Sequence, residues 1–183
     1  MKNSDLQEKI GGWKVKSSNI AYENPWIKVT HDEVITPKGT DGIYGVVHFK
    51  NIAIGVLPID EEGNTWLVKQ SRYTLNQYTW EIPEGGCPEG EDPINAARRE
   101  LEEEVGLKAA DVTELMRMHL SNSVSDELAI IFIAKGLSAG QQALESTEDI
   151  EYKKMPLTDA IDMVKRGEIT DSISVAALLR IAL

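Results

Sequence analysis

Cysteine, basic residues and long apolar runs are all scarce in this chain of 183 residues. Cys87 is the only cysteine, which excludes an internal disulfide and fits a reducing compartment. No apolar run approaches the roughly 18 residues of a membrane span, and residues 1–13 lack the apolar core of a signal peptide. We therefore expect a cytoplasmic protein that does not contact a membrane.

The shortage of positive charge limits the possible partners. Only 19 Lys and Arg residues face 30 Asp and Glu residues, so the formal net charge is -11. An acidic surface argues against nucleic acid or an anionic membrane as a partner. A phosphate-bearing substrate would need local cations or a metal ion to be bound. The length and the 42% of hydrophobic residues suit one globular domain with a sizeable core.

What the chain does have is an ordered acidic stretch over residues 81–106, with nine acidic and two basic residues. Asp92-Pro93 predicts the start of a helix, and Gly106 predicts its end. On that helix Glu100, Glu103 and Glu104 are spaced i, i+3 and i+4, so they share one face. Like charges at this spacing cost a few tenths of a kcal/mol per pair. A bound cation would reverse the sign of that cost.

A metal site is one of two interpretations of this acidic face. Oxygen ligands alone favour Mg²⁺, Mn²⁺ or Ca²⁺ over zinc. Gly85 and Gly86, ahead of the helix, would let the backbone approach a ligand closely. The alternative is a solvated acidic surface, which three glutamates alone do not exclude. A nucleophilic Cys87 is a weaker hypothesis, because no histidine lies near it in sequence.

The order of residues over 85–107 resembles the Nudix box, Gx5Ex7REUxEExGU with U apolar. The fixed positions are met by Gly85, Glu91, Arg99-Glu100-Leu101, Glu103-Glu104 and Gly106-Leu107. The resemblance implies a Nudix hydrolase, a divalent-metal enzyme using Mg²⁺ or Mn²⁺ that hydrolyses a nucleoside diphosphate linked to another group. It also implies an α/β fold, the Nudix-type α-β-α sandwich with a mixed sheet.

The resemblance also implies roles for residues of the box. Glu100 and Glu104 would be metal ligands, and the backbone carbonyl of Glu84 would be a further ligand. Glu103 would support them as a catalytic residue. Arg99 would pair with a glutamate of the box, Glu91 or Glu103, and hold the helix to its loop.

Outside the box the chain resembles the ADP-ribose and nucleoside-diphosphate-sugar pyrophosphatase branch. Residues 69–73 (KQSRY) look like its QxR strand end, where Arg72 would contact the substrate diphosphate or base. Residues 80–85 (WEIPEG) are similar to its E-(L/I)-P-A-G lead-in, but Glu84 replaces the usual alanine. Residues 121–127 (SNSVSDE) look like its S-P-G-x-S-x-E loop. Asn122 stands where a proline helps to identify ADP-ribose enzymes, which leaves nucleotide sugars open.

Two further segments resemble substrate-binding parts of this branch. Residues 146–149 look like an acidic loop that closes on the diphosphate, where Glu148 would bind a metal or position the water and Glu145 is a second candidate. The alternative is an exposed acidic loop. Trp26 matches an aromatic residue that stacks on the base, with Tyr44 as a weaker second. Core packing or a dimer contact is the alternative for Trp26.

Periodicity predicts the organisation around these motifs. Alternating segments at 13–20, 26–35 and 43–49 predict an N-terminal antiparallel sheet within residues 1–50, whereas residues 1–10 would fray or form a short helix. Residues 51–183 would form the Nudix domain with its box at 85–107. Thr158 and Asp171 are predicted N-caps of two further helices, the last one buried on most sides.

The branch implies a homodimer in which the N-terminal sheet serves base binding, and a small nucleoside diphosphate as substrate. Two alternatives stay open. One is a non-catalytic Nudix-fold sensor of ADP-ribose or a nucleotide sugar, and the other is a nucleoside triphosphate housecleaning hydrolase.

Overall fold

The computed structural model of the chain describes residues 7–9, 11–144 and 149–183. Its elements form two compact units. The N-terminal unit runs to Asn51 and includes Ser121–Glu127, whereas the main unit consists of Ile52–Leu120 and Leu128–Leu183. Residues 121–127 thus lie with the N-terminal unit, although they fall inside the predicted 51–183 domain. Among the described helices, none is long and apolar enough to cross a membrane.

The N-terminal unit is an antiparallel sheet with the strand order β1-β2-β3-β4. Its strands are β1 (Gln7–Glu8), β2 (Lys14–Glu23), β3 (Ile27–Ile35) and β4 (Asp41–Phe49). This confirms the predicted N-terminal sheet. At Gln7–Glu8 the chain forms strand β1, where a frayed segment or a short helix was expected. The turn between β3 and β4 closes through Gly39 with φ 81°, as Pro37-Lys38-Gly39 would allow.

The main unit contains a mixed sheet with the order β8-β5-β10-β9, in which β5 and β10 are parallel. Its strands are β5 (Ile52–Pro58), β8 (Glu84–Cys87), β9 (Leu107–His119) and β10 (Leu128–Ala139). A second, antiparallel sheet has the order β11-β6-β7, with β6 (Asn64–Arg72), β7 (Gln77–Glu81) and β11 (Glu151–Pro156). The helices are α1 (Pro93–Val105), α2 (Leu157–Lys165) and α3 (Ser172–Ala182).

The mixed sheet separates two buried clusters because successive side chains of a strand point to opposite faces. On β10, Ile130 and Phe132 pack with Leu101 of α1 in one cluster. Ile131, between them, packs with residues of α2 and α3 in the other, Leu178 among them. Helices therefore cover both faces of the sheet, which confirms the predicted α-β-α sandwich.

Helix α1 begins and ends where its sequence predicts. The Asp92 carboxylate accepts a hydrogen bond from the Ile94 N–H at 2.9 Å, and Gly106 ends the helix with φ 66°. By helical spacing Ile94 shares a face with the buried Leu101, yet its side chain is exposed. It lies in the first turn of the helix, before the buried positions begin.

The two C-terminal helices differ from expectation in detail. Helix α2 follows β11 directly at Pro156 without a side-chain cap, so the predicted N-cap at Thr158 was wrong, and Thr158 lies inside the first turn. Asp171 does cap α3, since its carboxylate accepts from the Ser174 N–H at 2.7 Å. Leu179 is exposed, so α3 is buried on one side only, because a single layer of sheet lies beneath it.

Candidate active site

The three glutamates of α1 have different environments. Glu100 and Glu104 are buried, with 7% and 1% of their surface exposed, whereas Glu103 is half-buried at the rim. The i, i+4 pair therefore turns towards the sheet, and the i+3 residue does not. Removing a carboxylate from water costs on the order of several kcal/mol unless other groups compensate. A solvated acidic surface does not describe Glu100 and Glu104.

The backbone of β8 lies against both buried carboxylates. The Glu84 N–H donates to Glu104 Oε2 at 2.9 Å. A Cβ atom on Gly85 would stand 2.2 Å from the Glu100 carboxyl carbon. Gly85 and Gly86, which were expected to let the backbone approach a ligand, pair with Ile54 and Ala53 of β5 as part of a strand. The group that approaches the glycine backbone is therefore the Glu100 carboxylate.

Arg99 joins the acidic residues of the box to the strand. Its Nη1 donates to Glu100 Oε1 at 2.6 Å and to Glu103 Oε2 at 3.0 Å. Its Nε and Nη2 donate to the two oxygens of Glu91 at 3.3 and 3.1 Å. Nη2 also donates to the Gly86 carbonyl at 2.8 Å. Arg99 therefore pairs with both Glu91 and Glu103, which were expected as alternatives, and with Glu100 as well. The hydrogen bonds that Arg99 donates to Glu91 are the main cause that raises the pKa of Arg99 above its ordinary value.

A second ionic cluster surrounds Glu81 at the end of β7, which is only 2% exposed. Arg72 Nε donates to Glu81 Oε1 and Oε2 at 2.9 and 3.1 Å, and Arg72 Nη2 also donates to Oε2. The Thr79 hydroxyl donates to the same carboxylate, as does Gln70 Nε2 at 3.3 Å. Burial raises the pKa of Glu81, but hydrogen bonds from Arg72 and Thr79 outweigh it and hold that pKa below its ordinary value.

The side chain of Glu84 also belongs to this second cluster. Arg72 Nη2 lies 3.3 Å from Glu84 Oε1, and the Glu84 side chain is 8% exposed. Burial, and then the charges of Asp171 and Glu81, raise the pKa of Glu84 well above its ordinary value. Asp171 therefore acts on this cluster besides capping α3. From the sequence, Glu81 had no predicted role in the site, Asp171 was expected only as a helix cap, and Glu84 was expected to contribute only its backbone carbonyl. Thr79 and Glu81 are two residues apart on a strand, so they share one face. This spacing of two polar residues is the sequence signal that could have identified Glu81 as a residue of the site.

The segment 140–143 caps the C-terminal end of α1. The Ala143 N–H donates to the Glu103 carbonyl at 3.0 Å, and Gln142 Nε2 donates to the Glu104 carbonyl at 2.7 Å. A cavity of about 480 Å³ adjoins it, lined by Arg99, Glu102, Glu103, Gln141 and Ala143. Glu145 and Glu148, the predicted loop residues, lie outside the described residues.

The remaining predicted substrate residues belong to the N-terminal unit. Trp26 is 67% exposed at the turn between β2 and β3, so core packing within this unit does not account for it. The Tyr44 hydroxyl donates to the Ser123 carbonyl at 2.6 Å, and its ring meets Trp13 edge-on. Asn122 is exposed beside that contact. Tyr44 thus holds the segment that carries Asn122.

Cys87 is buried at the end of β8, and burial raises the pKa of its thiol. Its Sγ donates to the Glu91 carbonyl at 3.4 Å. A thiol with a raised pKa is a poor nucleophile because the thiolate is the reactive form. The contact with Glu91 instead ties the strand to the loop before α1.

The donor set around 84–104 fits a hard divalent cation by its chemistry. Glu100, Glu104 and the backbone of residues 84–85 bring together oxygen ligands in a buried place, where a cation would offset the repulsion between carboxylates. Within the described ranges, however, no three His, Cys, Asp or Glu side chains are already grouped at metal-binding spacing. Arg99 and the Glu84 N–H instead engage oxygens of Glu100 and Glu104.

This fold and site define a Nudix enzyme, and comparison with known proteins agrees. Residues 49–177 match the NUDIX domain, and residues 13–47 match the nucleoside diphosphate sugar hydrolase N-terminal domain. The chain belongs to the Nudix family and is a Nudix pyrophosphohydrolase. Enzymes of this family generally use a divalent metal ion.

Individual relatives cover most of the chain. It is 35% identical over 128 residues to an ADP-ribose pyrophosphatase of Bacillus subtilis, covering 69% of each chain. It is 33% identical over 169 residues to an ADP-ribose pyrophosphatase of Mycobacterium tuberculosis, covering 90% of this chain and 81% of the relative. A methanol dehydrogenase activator of Bacillus methanolicus is 32% identical over 166 residues, 90% of this chain and 89% of the relative. A crystal structure of an ADP compounds hydrolase shares the fold, with a TM-score of 0.85 at 20% identity over 96% of this chain and 95% of that one.

Proposed function

We propose that this enzyme hydrolyses the diphosphate bond of ADP-ribose or of a nucleoside diphosphate sugar, giving a nucleoside monophosphate and a sugar phosphate. The observation that carries the proposal is that Glu84 contacts both halves of the site. Its N–H donates to Glu104 of the box, and its carboxyl group meets Arg72. The box carboxylates and a guanidinium suited to phosphate thus lie on either side of one residue.

The buried carboxylates would hold the metal ion. Glu100, Glu104 and the Glu84 carbonyl are the proposed ligands of Mg²⁺ or Mn²⁺, which when bound would neutralise diphosphate oxygens and lower the pKa of a water molecule. Arg99 orients the Glu100 carboxylate through its 2.6 Å hydrogen bond. Glu103, which is half-buried at the rim, is a proposed acceptor of a proton from that water, and Glu145 and Glu148 are the other candidates for the role.

Arg72 would stabilise the negative charge of the diphosphate. Its planar guanidinium suits phosphate oxygens, and the nearly buried Glu81 fixes its orientation. Gly85 and Gly86 would line the diphosphate site with their backbone alone, because they have no side chains. Fixed donors of this kind stabilise a transition state without reorganising during the reaction.

Base recognition is assigned to the N-terminal unit. Trp26 presents an exposed ring that could stack on a base, with Tyr44 and Asn122 as further candidates. A homodimer in which the N-terminal sheet of one copy serves the site of the other is part of the same proposal. Two ADP-ribose pyrophosphatases among the relatives, and a domain named for nucleoside diphosphate sugar hydrolases, support this substrate class.

A substrate panel tests the proposal. The purified chain with saturating Mg²⁺ is offered ADP-ribose, ADP-glucose, GDP-mannose, UDP-glucose and ATP, and products are identified by mass spectrometry. We expect a nucleoside monophosphate and a sugar phosphate from at least one of the first four, at a higher kcat/KM than for ATP. Faster hydrolysis of ATP would identify a triphosphate hydrolase instead, and tight binding of ADP-ribose without turnover would identify a sensor.

A further inference from the structure

Asp32 is a buried carboxylate in the N-terminal sheet to which the proposed reaction gives no role. It lies on β3, where it pairs with Ser18 of β2 on one side and with Tyr44 of β4 on the other. Its side chain is only 5% exposed. Burying a charged group is costly unless partners compensate, so the partners of Asp32 decide what it can bind.

The cation that pairs with Asp32 is held loosely. The Ser18 hydroxyl donates to Asp32 Oδ1 at 2.6 Å, whereas Lys9 Nζ lies 3.4 Å from Oδ2. A charged N–H donor and a carboxylate oxygen are ordinarily about 2.7–2.9 Å apart. Among the described residues, Lys9 is the only cation that pairs with this carboxylate. Burial raises the pKa of Asp32, but hydrogen bonds from Ser18 and then Lys9 outweigh it and hold that pKa below its ordinary value.

A cavity of about 180 Å³ lies beside this ion pair. It is lined by Lys9, Trp13, Val34, Tyr44 and Val46. Val34 follows Asp32 by two residues on β3, and Tyr44 is its cross-strand partner, so both share the sheet face of Asp32. The rings of Trp13 and Tyr44 meet edge-on, with centroids 5.4 Å apart. Aromatic and aliphatic walls therefore adjoin a buried negative charge.

These walls suit an organic ammonium ion. Aromatic rings attract cations, the carboxylate accepts an N–H, and the valine side chains offer apolar contact to an alkyl chain. Lys9 already has this chemistry, since its side chain is a primary ammonium group on an alkyl stem. That side chain is 51% exposed, so another amine can displace it without breaking a packed core. The net charge of -11 further favours cationic ligands.

We propose that Asp32, Trp13 and Tyr44 form a binding site for a small primary alkylammonium ligand, and that Lys9 is its competitor within the chain. The site lies within the N-terminal unit, and ligand binding there needs neither a metal ion nor turnover. This inference is therefore independent of the proposed hydrolysis. Its ligand is a free amine with a short carbon chain, because the cavity holds little more than that.

Titration with n-butylammonium chloride tests the site, because this ion reproduces the side chain of lysine. Binding is followed through the indole N–H signal of Trp13 in nitrogen-15 spectra, at neutral pH and at constant ionic strength set by sodium chloride. A competitor tethered in the chain acts at an effective concentration in the millimolar range. In Lys9→Ala we expect a saturable shift of that signal, with a Kd about tenfold or more below the wild-type value. Absence of a saturable shift in Lys9→Ala, or a Kd equal to that of wild type, overturns the proposal.

The uncharged alcohol n-butanol separates cation recognition from filling of an apolar cavity. It should bind Lys9→Ala at least about tenfold more weakly than n-butylammonium, because it cannot pair with the Asp32 charge. Equal binding of the two compounds overturns the proposal. This comparison requires no change at Asp32, so it holds even if a variant of that buried residue does not fold.

Two substitutions complete the test. In Lys9→Ala, the additional change Asp32→Asn should raise the Kd for n-butylammonium by about tenfold or more. A folded double variant that keeps the Kd of Lys9→Ala overturns the proposal. Lys16→Ala is the matched control, since it removes another lysine of the same sheet, one that pairs with the exposed Asp41 at 2.8 Å. It should keep the wild-type Kd, and a fall as large as that in Lys9→Ala would show a general effect of charge and overturn the competition.

Discussion

Gly85 and Glu100 touch at a point where a side chain would not fit. A Cβ atom at residue 85 would lie 2.2 Å from the carboxyl carbon and from Oε1 of Glu100. Non-bonded carbon atoms need about 3.5 Å. The glycine is therefore required by the close approach of a strand to a helix, since its φ does not lie in the left-handed region. This contact sets the position of a proposed metal ligand.

Substitution of Gly85 by alanine should displace the Glu100 carboxylate. Glu100 would have to leave its 2.6 Å hydrogen bond with Arg99, or the strand would have to move. We expect turnover to fall by about 100-fold, since a misplacement of about 1 Å has that effect. Unfolding free energy should fall by about 1–3 kcal/mol through overpacking. Steady-state kinetics and thermal melting measure the two effects.

Gly45→Ala provides the matched control for that substitution. A Cβ at Gly45 would meet no atom within 4 Å, so turnover should stay at the wild-type level. If Gly85→Ala also retained wild-type turnover, the position of Glu100 would not matter for catalysis.

Sequence predicted the parts of this site that depend on local chemistry. Asp92-Pro93 and Gly106 mark the helix because capping and left-handed φ are properties of one or two residues. The spacing of the box then placed Glu100, Glu103 and Glu104 on one helix. Which of them would be buried depends on how that helix packs on β5 and β8, and helical spacing alone does not decide it.

Local sequence patterns do not predict contacts between residues that are far apart in the chain. The pairing of Arg72 with Glu81 depends on the register of β6 and β7. The charge of Asp171, at the start of α3, acts on Glu84, which is far from it in sequence. The wrong cap at Thr158 has a related cause. Helix α2 continues from β11, so the direction of the chain is set by the preceding strand and not by a capping side chain.

Loss of charge at Glu104 should abolish turnover and preserve the fold. In Glu104→Gln the amide oxygen can still accept from the Glu84 N–H, so the 2.9 Å contact survives. A neutral amide is a much weaker ligand for Mg²⁺ than a carboxylate. We expect turnover to fall by orders of magnitude, measured as phosphate or nucleotide release with saturating Mg²⁺. Glu102→Gln, on the same helix and partly exposed, should retain activity, and full activity in Glu104→Gln would exclude the assigned role.

Removal of Arg99 should destabilise the box in a way that a divalent cation relieves. Arg99→Ala removes the guanidinium that forms ion pairs with Glu91, Glu100 and Glu103. Arg99 is about a third exposed, so we expect a loss of only about 2 kcal/mol after allowance for screening by solvent. Thermal melting with and without Mg²⁺ should show a smaller loss when Mg²⁺ is present.

Arg117→Ala is the control for Arg99. It breaks an exposed pair with Glu114 and should leave the melting temperature close to the wild-type value. An equal loss for Arg99→Ala in the presence and absence of Mg²⁺ would argue against a cation near these carboxylates.

Trp26 should matter for substrate affinity and little for stability. Its ring is 67% exposed, so Trp26→Ala removes few intramolecular contacts and should leave the melting temperature nearly unchanged. Loss of stacking on a base should raise KM by about tenfold or more, since stacking is worth about 1–3 kcal/mol. Ile43→Ala, another exposed apolar residue of this sheet, is the control. Concentration-dependent melting of Trp26→Ala alone would indicate a dimer contact in place of base binding.

Asp126 should make the attachment of the Asn122 segment sensitive to acid. Its carboxylate accepts from the Phe49 N–H at 3.0 Å and contacts His48 Nδ1 at 2.6 Å. Burial raises the pKa of Asp126, but these hydrogen bonds outweigh it and hold that pKa below its ordinary value. A carboxyl with a lowered pKa stabilises the folded arrangement above its unfolded pKa, and that contribution is lost as pH falls through the folded pKa.

Hydrogen exchange at the Val47 amide reports this attachment, because its N–H donates to the Val124 carbonyl at 2.8 Å. We expect protection of that amide to be constant at neutral pH and to fall as the pH drops below the ordinary carboxyl pKa of Asp. Asp126→Asn should lower protection at neutral pH and remove most of the acid dependence. Asp111→Asn, an exposed carboxylate on β9, should leave the profile unchanged. A wild-type acid profile in Asp126→Asn would show that another group holds the segment.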